Sequence, residues 1–177
     1  MRFITKENIA IFLILIVVVS RLVPHPPNFT PVLSIALFAG AMFASKWKAF
    51  LIPVAGLVLS NFLLGFYTVA WVVVGLMVAI TAIGLLMKTN KSAPRWIGFS
   101  LGASVFFFIL SNFFVWLYSG YYPLTLDGLI TSYTLALPFF QNTVISTLFY
   151  SLVLFKGVRF LERGANKYFQ PKAQGKA

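Results

Sequence analysis

The chain has no cysteine, one histidine (His25) and three acidic residues, Glu7, Asp127 and Glu162, among 177. Without cysteine there is no disulfide, no thiolate nucleophile and no sulfur-ligated metal. A lone histidine has no companion for a metal site, and dispersed acids supply no carboxylate pair for acid–base work. No nucleophile–base pair emerges, so the sequence does not read as an enzyme. It carries no glycine-rich phosphate loop, and no cofactor is expected.

Charge as a whole is scarce: 10% of residues are charged and 60% are hydrophobic. A soluble domain needs a more highly charged surface than this, whereas long apolar runs suit a lipid bilayer. The net charge of +11 does not point to nucleic acid, because the cations cluster beside apolar runs in the manner of membrane topology signals. Arg2 and Lys6 precede the first run as in a signal peptide. Ser20-Arg21 and a proline-rich stretch follow it instead of a small-x-small cleavage site, so it reads as a retained first span.

Six apolar segments are present, over about 8–23, 32–45, 49–66, 67–87, 96–118 and 138–160. The uncharged stretch 49–87 would make a helix of roughly 58 Å, about twice the hydrocarbon thickness, so it must turn, and Gly65 is the natural breaker. The second segment is short, and a re-entrant reading competes with a crossing. Charge decides between them. With six crossings and a cytoplasmic N-terminus, the inner side receives Arg2, Lys6, Lys46, Lys48, Lys88, Lys91, Arg95, Lys156, Arg159, Arg163, Lys167, Lys172 and Lys176. Arg21 is the one cation left outside. The expectation is an all-α integral membrane protein of the bacterial cytoplasmic (inner) membrane, with six transmembrane helices and both termini cytoplasmic. Residues 1–163 form one domain, and 164–177 are a basic, flexible tail.

Polar residues mark a depth. Asn61, Asn112 and the pair Gln141-Asn142 place amides near the outer ends of the third, fifth and sixth spans. Amides in hydrocarbon must find partners. They either bond one another across helices or line a pocket open to the outside. The outer loops add Arg21, His25 and Asn28, then Trp116, Tyr122 and Asp127, and aromatic walls with a few convergent polar groups suit a small-molecule site. Arg21 either snorkels to headgroups or meets a ligand. Asp127 either caps a short helix over 128–137, a lid ending at Pro138, or binds a cationic group on a substrate or pairs with Arg21. Ser60-Asn61-Phe62 with Tyr67 recurs as Ser111-Asn112-Phe113 with Tyr118, a parallel internal repeat of the weak kind found in transporters. Ala36, Gly40 and Ala44 form a smooth stripe, either packing within the chain or docking a partner subunit.

Arg21-Leu-Val-Pro-His-Pro-Pro-Asn-Phe-Thr-Pro-Val, Ile35-Ala-Leu-Phe-Ala-Gly40, Ser111-Asn-Phe-Phe-Val-Trp116, Tyr122-Pro-Leu-Thr-Leu-Asp-Gly-Leu129 and Pro138-Phe-Phe-Gln-Asn-Thr143 resemble an uncharacterised group of bacterial six-helix transport proteins. More loosely, that group is similar to the substrate-binding (S) subunits of energy-coupling-factor transporters. The resemblance implies an outward-facing pocket covered by outer loops, and an ATP-driven coupling module as partner. The chain departs from the group's pattern in two places: Asn61 stands at a usual aspartate, and Ser146-Thr147 at a Gly-Asp pair. The leading expectation is capture and uptake of a small molecule through the outer pocket, powered by a separate motor. The alternative is a non-transporting structural or accessory subunit of a larger membrane complex.

Overall fold

The computed structural model describes residues 6–87 and 93–169. They form six helices: α1 (Lys6–Leu22), α2 (Val32–Met42), α3 (Lys46–Leu64), α4 (Ala70–Leu85), α5 (Ala93–Tyr118) and α6 (Leu126–Phe169). There is no strand among the described residues. The protein is all-α, and each expected apolar segment yields one helix.

Three helical stretches, Lys46–Leu64, Pro94–Tyr118 and Leu126–Gly157, are long and apolar enough to cross a membrane. α3 alone would span about 28 Å, close to the hydrocarbon thickness. Asn8–Leu22, Val32–Met42 and Ala70–Leu85 are shorter apolar helices. The chain between α3 and α4 turns where expected: Gly65 has φ +94°, and its N–H closes on the Asn61 carbonyl at 2.8 Å. A side chain there would be strained.

α2 is the axis of the bundle. Its residues Val32 to Ala41 are all buried, and it touches every other helix. The small stripe explains how. A Cβ on Gly40 would overlap the Thr81 carbonyl and the Gly84 backbone of α4, and one on Gly84 would overlap the Leu37 carbonyl of α2. The two helices therefore meet backbone to backbone, as small-residue crossings allow. Ala36 is fully buried too, so this stripe is occupied inside the chain and offers no docking face. Ala44 does not belong to it, since α2 ends at Met42 and Ala44 is exposed in the turn that follows.

The other helices close around α2. Val17 of α1 is buried against Gly56 of α3. Ser100 of α5 donates to Ser151 of α6 at 2.9 Å, and Trp96 stacks on Phe155. Exposed Ile, Leu, Val and Phe side chains are spread over the outside of the bundle, as expected of surface that faces lipid tails.

α6 departs from expectation. It is a single helix of 44 residues with Pro138 inside it, so 128–137 is no separate lid. A proline in a helix removes one backbone hydrogen bond, here to the carbonyl four residues back, and need not end the helix when packing holds both sides. Tyr133 and Phe140 flank Pro138 and both pack on Phe108 of α5, while Tyr133 OH donates to the Ile109 carbonyl at 2.7 Å. Asp127 is not the cap. Thr125 precedes the helix and takes that role, its Oγ1 accepting the Gly128 N–H at 3.2 Å, while Asp127 lies exposed in the first turn. α6 also continues through Phe169, so 164–169 are helical.

The described cations separate by end. Lys46 and Lys48 begin α3, Arg95 begins α5, and Lys156 lies in the part of α6 beside Trp96. Arg21 and His25 lie at the opposite end. Arg2, Lys88, Lys91, Lys172 and Lys176 lie outside the described residues, as do the side chains of Lys6, Glu7, Arg159, Glu162, Arg163 and Lys167.

Candidate functional site: a cavity at the Arg21 end

At the end of the bundle away from the lysines, α1, α3 and α5 finish and α2, α4 and α6 begin. A cavity of about 500 Å³ opens there. Its walls come from every helix and from both connections that flank α2 and α4. Phe107, Phe108, Phe139, Phe140, Leu57, Leu64, Val73 and Met77 give it apolar sides. The polar groups are Arg21, His25, Asn28, Thr30, Tyr67, Ser111, Asn112 and Thr143. A mostly apolar cleft with a few polar groups is the usual make-up of a small-molecule site.

Arg21 is half-buried and turns inward to α3. Its Nη1 donates to Ser60 Oγ at 2.6 Å and to Asn61 Oδ1 at 2.8 Å, with a longer contact to the Leu57 carbonyl at 3.4 Å. The side chain is thus held by neutral groups one helix away. Asn61 is almost fully buried and sits behind Arg21 rather than on the cavity wall.

Asn112 lines the cavity, and its Nδ2 bonds back to the Phe108 carbonyl at 2.7 Å. That back-bond satisfies one amide proton within its own helix. The two Ser-Asn-Phe copies share an inward Ser-Asn and an outward Phe, though the two asparagines have different partners. Ser60-Asn61 and Ser111-Asn112 face the Arg21 side or the cavity, whereas Phe62 and Phe113 are exposed.

The proline-rich connection is tied to α6. Asn142 Nδ2 donates to the Pro27 carbonyl at 3.0 Å, Ser146 Oγ to the Asn28 carbonyl at 3.3 Å, and Phe29 packs edge-on against Tyr150. Asn28 adopts a left-handed φ of 62°, a conformation that asparagine tolerates better than most residues. Prolines and these bonds together fix one wall of the cavity. The neighbouring Ser34 hydroxyl donates to the Thr147 carbonyl at 2.9 Å, and Thr147 Oγ1 is buried with no partner among the described residues.

Of the ten residues expected at a site, the cavity wall brings together Arg21, His25, Asn28 and Asn112, with Asn61 one layer behind. Five lie elsewhere. Asn142 holds the loop. Gln141 and Asp127 are exposed. Trp116 Nε1 donates to the Pro123 carbonyl at 2.9 Å and clasps the α5–α6 connection, and Tyr122 lies in that same connection. Sequence reasoning missed Ser60 as an Arg21 partner, though it lies in the repeated motif, and missed the aromatic doublets Phe107-Phe108 and Phe139-Phe140, which no polar signal marks.

Tyr67 stands in the α3–α4 connection on the cavity wall. Partial burial pushes its phenol above the ordinary tyrosine range, and the nearby Arg21 charge opposes that shift. Trp71 packs on Phe114 and Tyr118 at the same end, forming an aromatic cluster suited to a membrane interface.

Residues 2–171 match DUF6580, a family of unknown function, and the chain belongs to that family. No curated protein and no solved structure matches it.

Proposed function

We propose that this is a multi-pass protein of the bacterial cytoplasmic membrane that captures a small molecule from outside in the Arg21-end cavity and takes part in its uptake. In this reading all six helices cross or are embedded in the bilayer, the lysine end is cytoplasmic, and the cavity faces out. The observation that carries it is the position of the Arg21-end cavity, at the end opposite Lys46, Lys48, Arg95 and Lys156. Cations are retained on the cytoplasmic side, so a cavity at the other end meets the exterior. The likeness to energy-coupling-factor S subunits supports the same orientation. The sequence holds no nucleotide-binding loop, so the energy comes from a separate membrane partner or ATP-driven module.

The test is ligand stabilisation of the purified protein. A panel of vitamins, nucleobases, amines and organic acids is screened for a rise in Tm, and each hit is repeated with Asn112→Leu, which alters the cavity wall. A hit weakened by that change supports capture. A hit indifferent to it places binding elsewhere. A second reading, an accessory subunit of a larger complex, draws on the polar groups already engaged in holding the structure, such as Asn142 on Pro27 and Ser146 on Asn28. Co-purification of a stable partner with no hit across the panel would favour it.

A further inference from the structure

The charge of Arg21 has no counter-charge among the described side chains. Its protein partners, Ser60, Asn61 and the Leu57 carbonyl, are all neutral. Among the described side chains the one acid is Asp127, exposed and off the cavity wall. A half-buried guanidinium beside Phe, Leu and Val walls is held in a medium where an unpaired charge is costly and an opposite charge is strongly attracted.

The direction of its hydrogen bonds matters as much. All three fall on Nη1. Nε and Nη2 make no bond to any described residue. The Nε–Nη2 edge is one of the two faces on which a guanidinium takes a carboxylate through parallel hydrogen bonds. Arg21 is therefore fixed through one nitrogen, and its side-on fork is free of described partners on a residue that lines the cavity.

We infer that the cavity selects an organic monocarboxylate with an apolar, preferably aromatic, body, whose carboxylate docks on the free edge of Arg21. The inference rests on the capture reading above and names its ligand class. One cation balances one negative charge. A dianionic phosphate would carry a second charge into the same apolar surroundings with no cation to meet it. Phe108, Phe139 and Phe140 supply the wall for the body of the ligand, and Asn112 lies on the same wall.

The experiment compares benzoate, its neutral isostere benzamide, the cation benzylamine and inorganic phosphate as stabilisers of the full-length protein in zwitterionic detergent. Benzoate is expected to raise Tm in a saturable way, and the other three are not. Arg21→Gln should weaken benzoate at least tenfold, and Arg21→Lys should not restore it, because an ammonium lacks the fork. Those variants could also destabilise the bundle, so Asn61→Asp is the decisive one. It gives Arg21 a carboxylate at the position where Oδ1 already accepts, keeps the anchor, and neutralises the charge. The variant should be at least as stable as the parent and bind benzoate at least tenfold more weakly.

Benzoate binding that persists unchanged in Asn61→Asp overturns the inference. Stabilisation by benzamide or benzylamine, lost in Asn112→Leu, with none by benzoate, overturns the anion class but leaves capture standing. Failure of every probe in the wider panel overturns both. If Tm instead follows the fraction of anionic lipid in vesicles and ignores benzoate, Arg21 is a headgroup contact and the inference falls.

Discussion

Asn142 Nδ2 and the Pro27 carbonyl meet at 3.0 Å across 115 positions of sequence, joining the last helix to the loop that leaves the first. Asn142→Leu removes this bond and its expected cost is about 1 kcal/mol, the usual net value of one hydrogen bond. For a chain of this size that is a fall in Tm of about 2–4 °C. The loss should be concentrated in the loop. Hydrogen exchange is expected to quicken over residues 23–30 and to stay unchanged in α4, and a uniform increase would show that the bond supports the whole bundle instead.

Gly40 and Gly84 are a second pair whose sizes matter. Either Gly→Ala change forces backbone apart at the α2–α4 crossing, where the neighbour is main chain and cannot swing aside. A cost of about 3 kcal/mol, at the upper end of overpacking effects, is expected. Gly75→Ala in α4 is the control, because nothing lies within 4 Å of the added carbon. Thermal unfolding of the three variants should separate the two crossing positions from the third.

The Tyr67 phenol provides a pH test. Its folded pKa lies above the ordinary tyrosine value of 10.0 because of burial, so the folded state holds its proton longer than the unfolded state does. That contribution is fully present below the unfolded value and is lost as pH rises through the folded one. The parent should therefore lose stability on the alkaline side faster than Tyr67→Phe. Arg21 opposes the shift, so Arg21→Gln should move Tyr67 higher still. The phenolate absorbance of each protein minus that of its Tyr67→Phe counterpart reads both effects.

The cysteine-free sequence makes topology directly measurable. Tyr121→Cys, highly exposed at the cavity end, should react with an impermeant maleimide in intact cells. Lys156→Cys, exposed near the other end, should react only after the membrane is opened. The reverse pattern would turn the cavity toward the cytoplasm and end the uptake proposal.

Helix number was readable because apolar runs and breakers are one-dimensional signals, and Gly65 divides α3 from α4 where the length of the run demanded. Arg21 stood out through a charge rule, before any geometry. What sequence concealed was rotation. In a soluble helix the polar face reports its own phase, but a helix in lipid is apolar on both the inner and the outer side. Each residue turns the direction by roughly 100°, so depth could be assigned to Gln141, Asn142 and Thr143 together, while only Thr143 reaches the cavity. Asn61 and Asn112 could not be distinguished either, one behind Arg21 and the other on the wall. Pro138 misled for another reason: its cost to a helix is local, and the aromatic packing that offsets it comes from α5, distant in sequence.

The enclosure of α2 has a consequence for how the chain is made. Eleven residues, about 16 Å of helix, are too short to cross a bilayer unaided. Their permanent surroundings include Gly84 of α4 and Thr147 of α6, which leave the ribosome long after α2 does. Until α4 emerges the Gly40 face lacks its packing partner, and until α6 emerges the Ser34 hydroxyl lacks its acceptor. The setting of α2 is therefore complete only once α6 is present, and a nascent chain halted before α6 would leave the Ser34 hydroxyl without the Thr147 carbonyl it meets in the finished bundle.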